Sequence, residues 1–141
     1  MKNAVFIDSD IILDVLLERE PHFKDSQTIL GLAESNDVRG FTSSLIIANC
    51  FYIIENQKNQ AAARNSIAKL RSILHVLPFS DKEIGESLNS NFKDFEDGIQ
   101  HYIALNNNID AIITRNTRDF KNAGLPVMTP AELLSSAGIS S

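Results

Sequence analysis

The feature that most constrains the fold is a short apolar run near the start of the chain, Ala4–Ile7, which leads directly into Asp8. Its apolar residues are continuous and do not alternate with polar ones, which indicates a strand that is buried on both faces. Strands of this kind are typical of parallel sheets that helices cover from both sides. The run therefore predicts an α/β fold with a carboxylate at the carboxyl end of a buried strand.

Short strands and amphipathic helices alternate along the rest of the sequence. This alternation predicts a three-layer α/β/α sandwich with a mostly parallel central sheet. At 141 residues the chain can bury one core, so we expect a single domain over residues 1–141. Further strands are predicted at 38–42, 75–79, 110–114 and 127–128. Helices are predicted at 10–19, 23–36, from a cap at Ser43 or Ser44 to 57, at 60–74, after a capping box at Ser80–Glu83, at 94–107 and from Thr129 onward.

Composition narrows the functional classes. The chain has 18 acidic and 13 basic side chains, a formal net charge of −5, which argues against non-specific coating of DNA. Cys50 is the only cysteine and lies in an apolar run, so we expect a buried, inert thiol in a reducing, cytoplasmic environment. The N-terminus does not resemble a signal peptide and no stretch approaches about 18 apolar residues, so we expect no contact with a membrane.

Acidic residues recur where the predicted strands end. Asp8 follows the first strand, and Asp119 lies shortly after the strand at 110–114. The carboxyl ends of parallel strands border the functional crevice of such a sheet, so these distant residues should converge. Asp94 and Asp97 are three positions apart and share one face of their helix. If that helix begins near the end of the first strand, both side chains point at Asp8.

Several carboxylates at close range favour a bound cation, because each raises the pKa of its neighbours unless a positive charge intervenes. Oxygen ligands prefer Mg²⁺ or Mn²⁺, and the chain has no set of Cys and His that would suit zinc. Such an ion activates water and neutralises charge on a phosphoryl oxygen, which is the chemistry of phosphodiester hydrolysis. The predicted metal ligands are Asp8, Asp97, Asp119 and Asp94.

The three motifs together resemble a known family. Asp8-Ser9-Asp10, Asp94-Phe95-Glu96-Asp97 and the segment Thr114–Phe120 stand in the order and spacing of the PIN domain, a family of metal-dependent ribonucleases. The resemblance covers essentially the whole chain. It is strongest to the VapC-like branch, which contains the toxins of bacterial toxin–antitoxin pairs.

The resemblance implies a PIN-like fold and an endoribonuclease that uses Mg²⁺ or Mn²⁺, with Asp8 and Asp97 as its catalytic acids. It also implies RNA as substrate, a small antitoxin protein as partner and a possible homodimer. Arg115 and Arg118 are expected to hold a substrate phosphate, because they flank the predicted site. The full set of expected substrate-binding residues is Ser9, Asn49, Thr114, Arg115, Asn116 and Arg118.

Two positions depart from the family pattern. Asn49 stands where a Glu is usual on the helix after the second strand, and Asn116 stands where an Asp is often found. Both are neutral amides, so we expect weaker metal binding and reduced activity, with compensation by Asp94, Glu96, Asp10 or Asp119.

Two other functions stay open. The first is a catalytically weak or inactive PIN-like module that binds RNA or protein. The second, less favoured, is an aspartyl-phosphate-type phosphatase with Asp8 as nucleophile and Asp10 as general acid.

Purely structural roles are also expected. Asp94 is expected to cap its helix, Asp10 and Asp14 to interact with a helix dipole, and Arg19 to pair with Asp14 or Glu18. His101 is expected at the half-exposed surface, and Phe95 is expected in the core.

Overall fold

The computed structural model describes residues 2–136 and contains an all-parallel sheet, as the apolar strand pattern predicts. A bilayer-spanning helix would have to be longer and more apolar than any helix within these residues. The strands are β1 (Ala4–Ile7), β2 (Arg39–Ser43), β3 (His75–Leu77), β4 (Ala111–Ile113) and β5 (Val127–Met128). The helices are α1 (Ser9–Leu16), α2 (Phe23–Glu34), α3 (Ser44–Gln57), α4 (Gln60–Ile73), α5 (Asp81–Leu88), α6 (Phe95–Asn106) and α7 (Pro130–Ser136).

The order of the strands creates a crevice beside β1. The sheet runs β3-β2-β1-β4-β5, with Phe6 of β1 in register with Phe41 of β2 and Ile112 of β4. The chain first builds outward from β1 to β3 and then returns to the other side of β1 to add β4 and β5. Right-handed connections place the helices of these two halves on opposite faces of the sheet. The carboxyl ends of β1 and β4 therefore meet where the strand order reverses, which is where ligands bind in such sheets.

Two helical layers cover the sheet. Helices α1, α2, α3, α4 and α7 pack against one another in one layer, while α5 and α6 pack together in the other. Every residue of β1 is buried, and so are Ile112 and Ile113 of β4. The predicted three-layer α/β/α architecture is confirmed, because apolar strands of this kind need helices on both faces.

Capping residues predicted from the sequence are found at the starts of α3 and α5. Ser43 accepts a hydrogen bond from the amide of Ile46 and caps α3, and the predicted capping box at Ser80 and Glu83 opens α5. The first helix is shorter than predicted. It ends at Leu16, and Glu18 adopts a positive φ of 50°. A helix cannot continue through that conformation.

Two predictions about α6 are wrong. Phe95 is 45% exposed, because it opens the helix beyond the part that packs on the sheet. His101 is 97% buried, with 3% exposure, and its Nε2 accepts a hydrogen bond of 2.9 Å from the amide of Gly124. Phe92 lies against His101, with ring centroids 4.8 Å apart. The loop that covers His101 comes from a distant part of the chain, so helical periodicity alone could not place it.

Candidate active site

Asp8 lies at the carboxyl end of β1, where the strand order reverses. Its side chain is 8% exposed. One carboxylate oxygen, Oδ1, accepts a hydrogen bond of 2.8 Å from the amide of Ser9, and Asp8 thereby caps α1. The other, Oδ2, accepts a hydrogen bond of 2.9 Å from the hydroxyl of Thr114, just after β4. The two strand ends are thus joined through this carboxylate.

Asp10 points at the same strand end, so its role exceeds the helix-dipole interaction expected from the sequence. Its Oδ2 accepts hydrogen bonds from the amide of Arg115 at 2.8 Å and from the side-chain amide of Asn116 at 3.3 Å. The Thr114 hydroxyl also lies 3.3 Å from this oxygen. A hydroxyl has one hydrogen to donate, so Asp8 and Asp10 share a single donor.

Burial and crowding disfavour the charged form of Asp8. Its pKa is raised from 3.8 to about 6, chiefly because the carboxylate is buried and then because Asp10 is close. Asp119 adds a smaller repulsion, while the hydrogen bonds from Ser9 and Thr114 act in the opposite direction. Burial likewise raises the pKa of Asp10. Neither carboxylate forms an ion pair with Lys or Arg within residues 2–136.

Asp97 is the second crowded acid. It is half-buried in the first turn of α6, and its pKa is raised from 3.8 to about 7. Burial is the largest cause, followed by the negative charges of Asp94, Asp8 and Asp119. Asp94 itself caps α6, because its Oδ1 accepts a hydrogen bond of 2.9 Å from the amide of Asp97. The structure therefore brings the four predicted metal ligands within electrostatic range of one another.

Three of these acids line a cleft of about 210 Å³ at the start of α6. Asp8 does not line this cleft. Its negative charge interacts with those of Asp97 and Asp119, which do line it. The predicted substrate-binding residue Arg118 is on the wall of the cleft. The lining residues are Phe92, Lys93, Asp94, Asp97, Arg118, Asp119, Lys121 and Asn122.

Arg115 is engaged elsewhere, which speaks against its expected role as a phosphate ligand. Its Nε and Nη2 donate to the two carboxylate oxygens of Asp14 at 2.8 and 3.1 Å. The fully buried Asp14 also accepts from Arg19 at 3.1 Å and from the hydroxyl of Ser26 at 3.0 Å. The predicted pairing of Arg19 with Asp14 is confirmed. The expected dipole role of Asp14 is wrong, since this residue anchors α1 to α2 and to the loop after β4.

The two amides that depart from the family pattern both donate to carboxylates. The Nδ2 of Asn49 lies 3.0 Å from Oε1 of Glu96, and the Nδ2 of Asn116 lies 3.3 Å from Oδ2 of Asp10. Each amide therefore orients an acid and adds no charge of its own. The sequence offered the identity of these residues but not their partners, which lie 47 and 106 positions away.

Sequence reasoning missed four residues of the cleft. Lys93 and Lys121 stand on its walls, together with Phe92 and Asn122. A weak signal was present, because both lysines directly follow a phenylalanine, at Phe92 and Phe120. The two rings lie 6.2 Å apart in the structure.

The four predicted metal ligands suit a hard divalent ion by their chemistry. The ligand atoms are carboxylate oxygens, the pKa values of Asp8 and Asp97 are raised, and neither of these two residues has an ion-pair partner in the part of the chain that the structure describes. Within residues 2–136, however, no three Asp, Glu, His or Cys side chains are grouped closely enough to hold a metal ion as they stand. Side-chain movement would be needed to enclose one.

Comparison with known proteins agrees with the all-parallel α/β/α fold. Residues 4–118 match the sequence model of the PIN domain. The chain belongs to the PIN domain family. The family resemblance predicted from the three motifs is thereby confirmed.

One ribonuclease and chains of two solved structures are similar to most of this chain. Ribonuclease VapC1 of Aquifex aeolicus (strain VF5) is 27% identical over 133 residues, which are 91% of each protein. A toxin–antitoxin complex from Klebsiella pneumoniae contains a chain with 21% identity and a TM-score of 0.67, covering 90% of this chain and 98% of that one. VapBC2 from Rickettsia felis, bound to a DNA fragment from its promoter, gives 17% identity, a TM-score of 0.66, and coverage of 89% and 97%. The two solved structures support the fold, and the likeness to the VapC-like branch is confirmed.

Proposed function

We propose that this PIN protein is a metal-dependent endoribonuclease and the toxin of a toxin–antitoxin pair. The observation that carries the proposal is the pair Asp8 and Asp97, which have pKa values raised to about 6 and about 7 and form no ion pair with Lys or Arg within the described residues 2–136. A site of this kind is poised for a divalent cation. The likeness to Ribonuclease VapC1 supports RNA as the substrate.

Asp8 and Asp97 would hold Mg²⁺ or Mn²⁺, with help from Asp119 and Asp94. A bound ion of this kind supplies an activated water and neutralises developing charge on the phosphoryl oxygen. The chain itself fixes the carboxylate of Asp8, because the amide of Ser9 holds Oδ1 and the hydroxyl of Thr114 holds Oδ2.

Two further side chains complete the proposed site beside Asp97. Without a bound ion, the pKa of Asp97 is raised to about 7, so the negative charge of the cleft grows as pH rises through neutrality. Arg118, on the cleft wall, is the arginine placed to meet a phosphate. Asn116 contributes by orienting Asp10.

Substitution of the two acids tests the nuclease. Asp8→Asn and Asp97→Asn should each abolish RNA cleavage in the presence of Mn²⁺ while circular dichroism shows a folded protein. The matched control is Asp37→Asn, an exposed residue away from the cleft, which should cleave at the wild-type rate. Cleavage that persists in both active-site variants refutes the assigned roles.

A small antitoxin is the proposed partner, because the solved structures similar to this chain include a toxin–antitoxin complex and VapBC2. Co-expression with a small protein encoded beside this gene should yield a stable complex that no longer cleaves RNA. We also propose a homodimer of the free protein, which light scattering after size exclusion would detect. A strictly monomeric mass over a range of concentrations contradicts the dimer and leaves the nuclease untouched.

A catalytically weak or inactive PIN-like module is the second candidate. It is favoured by the neutral amides at Asn49 and Asn116 and by the lack of a ready-made three-residue metal site within residues 2–136. RNA binding that persists in chelator, without cleavage in Mn²⁺, would select this candidate.

The phosphatase alternative gains no support from the surroundings of Asp10. A general acid must present an oxygen to the leaving group, and Oδ2 of Asp10 already accepts from the amides of Arg115 and Asn116. A covalent phosphoenzyme on Asp8 would be the result in its favour.

A further inference from the structure

Two lysines outside the proposed catalytic set stand on the walls of the cleft. Lys93 follows Phe92, and Lys121 follows Phe120, which is buried. The two phenylalanine rings are 6.2 Å apart and pack edge to face, so they anchor the segments from which both lysines project.

A hydrogen bond also joins the two walls. The Nδ2 of Asn122 donates to the carbonyl of Asn91 at 3.1 Å. The backbone is therefore held immediately beside Lys121 and close to Lys93. The long lysine side chains can move, but the ring contact and this hydrogen bond hold together the two backbone segments that carry them.

The positive and negative side chains that line the cleft form no ion pairs with one another within the described residues. Within residues 2–136 the ion pairs are those of Asp14 with Arg19 and Arg115, and both lie outside the cleft. Lys93 and Lys121 therefore share a cleft with Asp97 without pairing to it. A surface that holds unpaired charges of both signs suits a ligand that brings both, such as a phosphodiester together with a divalent cation.

We propose that Lys93 and Lys121 bind backbone phosphates of the RNA where it passes through this cleft. This inference rests on the proposed ribonuclease function and adds substrate-positioning residues to it. The chain carries a net charge of −5, so RNA needs a local positive surface to remain beside the acids. Lysine contacts to phosphate hold a strand in register without reading its bases. Arg118 joins them on the same cleft, whereas Arg115 is held by Asp14.

Salt dependence of RNA binding tests the role of the two lysines. The probe is a fluorescein-labelled single-stranded RNA of about 12 nucleotides, long enough to cross the cleft and leave free ends. All proteins carry Asp97→Asn so that the RNA stays intact. Lys93→Ala/Lys121→Ala is compared with Lys24→Ala/Lys82→Ala, which removes the same charge from exposed lysines off the cleft. Lys24 is a matched control, because it also follows a phenylalanine, Phe23.

The cleft variant should lose two phosphate contacts and the control none. Each contact to single-stranded RNA contributes a salt slope of about 0.7, so the slope should fall by about 1.4 and affinity at about 0.1 M salt by roughly 25-fold. The control should stay within about twofold of its parent, and Lys93→Arg/Lys121→Arg should retain binding, since arginine keeps the charge. Thermal unfolding should be unchanged in every variant, because exposed lysines contribute little to stability.

Cleavage by proteins with an intact Asp97 separates this inference from the proposed function. If the wild type cleaves RNA but the cleft and control variants show equal salt slopes, the lysine assignment is overturned and the nuclease stands. If the wild type does not cleave but the slopes differ as expected, the lysines bind RNA and the nuclease fails. A parent protein that does not bind the RNA at all also overturns the assignment.

Discussion

At the scale of single residues, Asp14 shows how one buried carboxylate outside the cleft holds several elements together. Its buried carboxylate accepts from both Arg115 and Arg19, as well as from Ser26. Asp14→Ala should destabilise the fold by about 1–3 kcal/mol, because it removes the charge-assisted hydrogen bonds to the partly exposed Arg115 and Arg19. Asp37→Ala, at an exposed position, should change stability by less than about 0.5 kcal/mol. Denaturant unfolding measures both variants, and equal midpoints would contradict the anchoring role of Asp14.

Thr114 lowers the pKa of Asp8 through one hydroxyl. That hydroxyl donates to Asp8 at 2.9 Å and holds down the pKa of Asp8 against the effect of burial. Thr114→Val should therefore raise the pKa of Asp8 further, and the rise in RNA cleavage with pH should move to higher pH. Thr114→Ser keeps the hydroxyl and should retain the wild-type profile. The measurement is the rate of RNA cleavage in Mn²⁺ as a function of pH for the wild type and both variants. A Val variant that only loses activity, with no shift of its profile, would indicate a structural role alone.

At the scale of elements, α6 shows that two neighbouring apolar residues on one helix can have different roles. Phe95 is exposed in the first turn, whereas Ile99, one turn later, is 2% exposed. Ile99→Ala should cost about 2–5 kcal/mol, because it opens a cavity in the core. Phe95→Ala should cost less than about 1 kcal/mol, since little packing is lost. Thermal unfolding of both variants checks the contrast, and a larger loss for Phe95 would place that ring in the core.

Elements were easier to predict than the partners of individual side chains. Continuous apolar runs predicted β1 and β4, and caps such as Ser43 and Ser80 predicted helix starts, because these signals are local. The strand-end position of Asp8 followed from the topology of parallel sheets. The ion pair of Arg115 and the burial of His101 were not predicted, because their partners Asp14 and Gly124 come from other elements. The catalytic roles of Asp8 and Asp97 stay predictions.

At the scale of the whole molecule, the crowded acids link folding to pH. Asp8 and Asp97 have folded pKa values of about 6 and about 7, above their ordinary 3.8. The folded chain therefore holds protons more tightly than the unfolded one between about pH 4 and pH 7, and its stability falls as pH rises through that window. The buried Asp8 contributes on the order of 2 kcal/mol of this loss. The half-exposed Asp97 contributes less than its shift suggests, because solvent screens it.

Thermal unfolding in chelator should show that the folded state loses stability as pH rises, with a lower Tm at about pH 7.5 than at about pH 5. His101 acts with the opposite sign, because its lowered pKa favours the folded state as pH rises. The Asp8→Asn/Asp97→Asn variant keeps His101, so subtracting its curve isolates the two acids. Mn²⁺ should raise the Tm of the wild type at about pH 7.5 and have little effect at about pH 5, where the acids are protonated. If the wild type and this variant show the same pH dependence and no response to Mn²⁺, the two acids are not poised for a divalent ion.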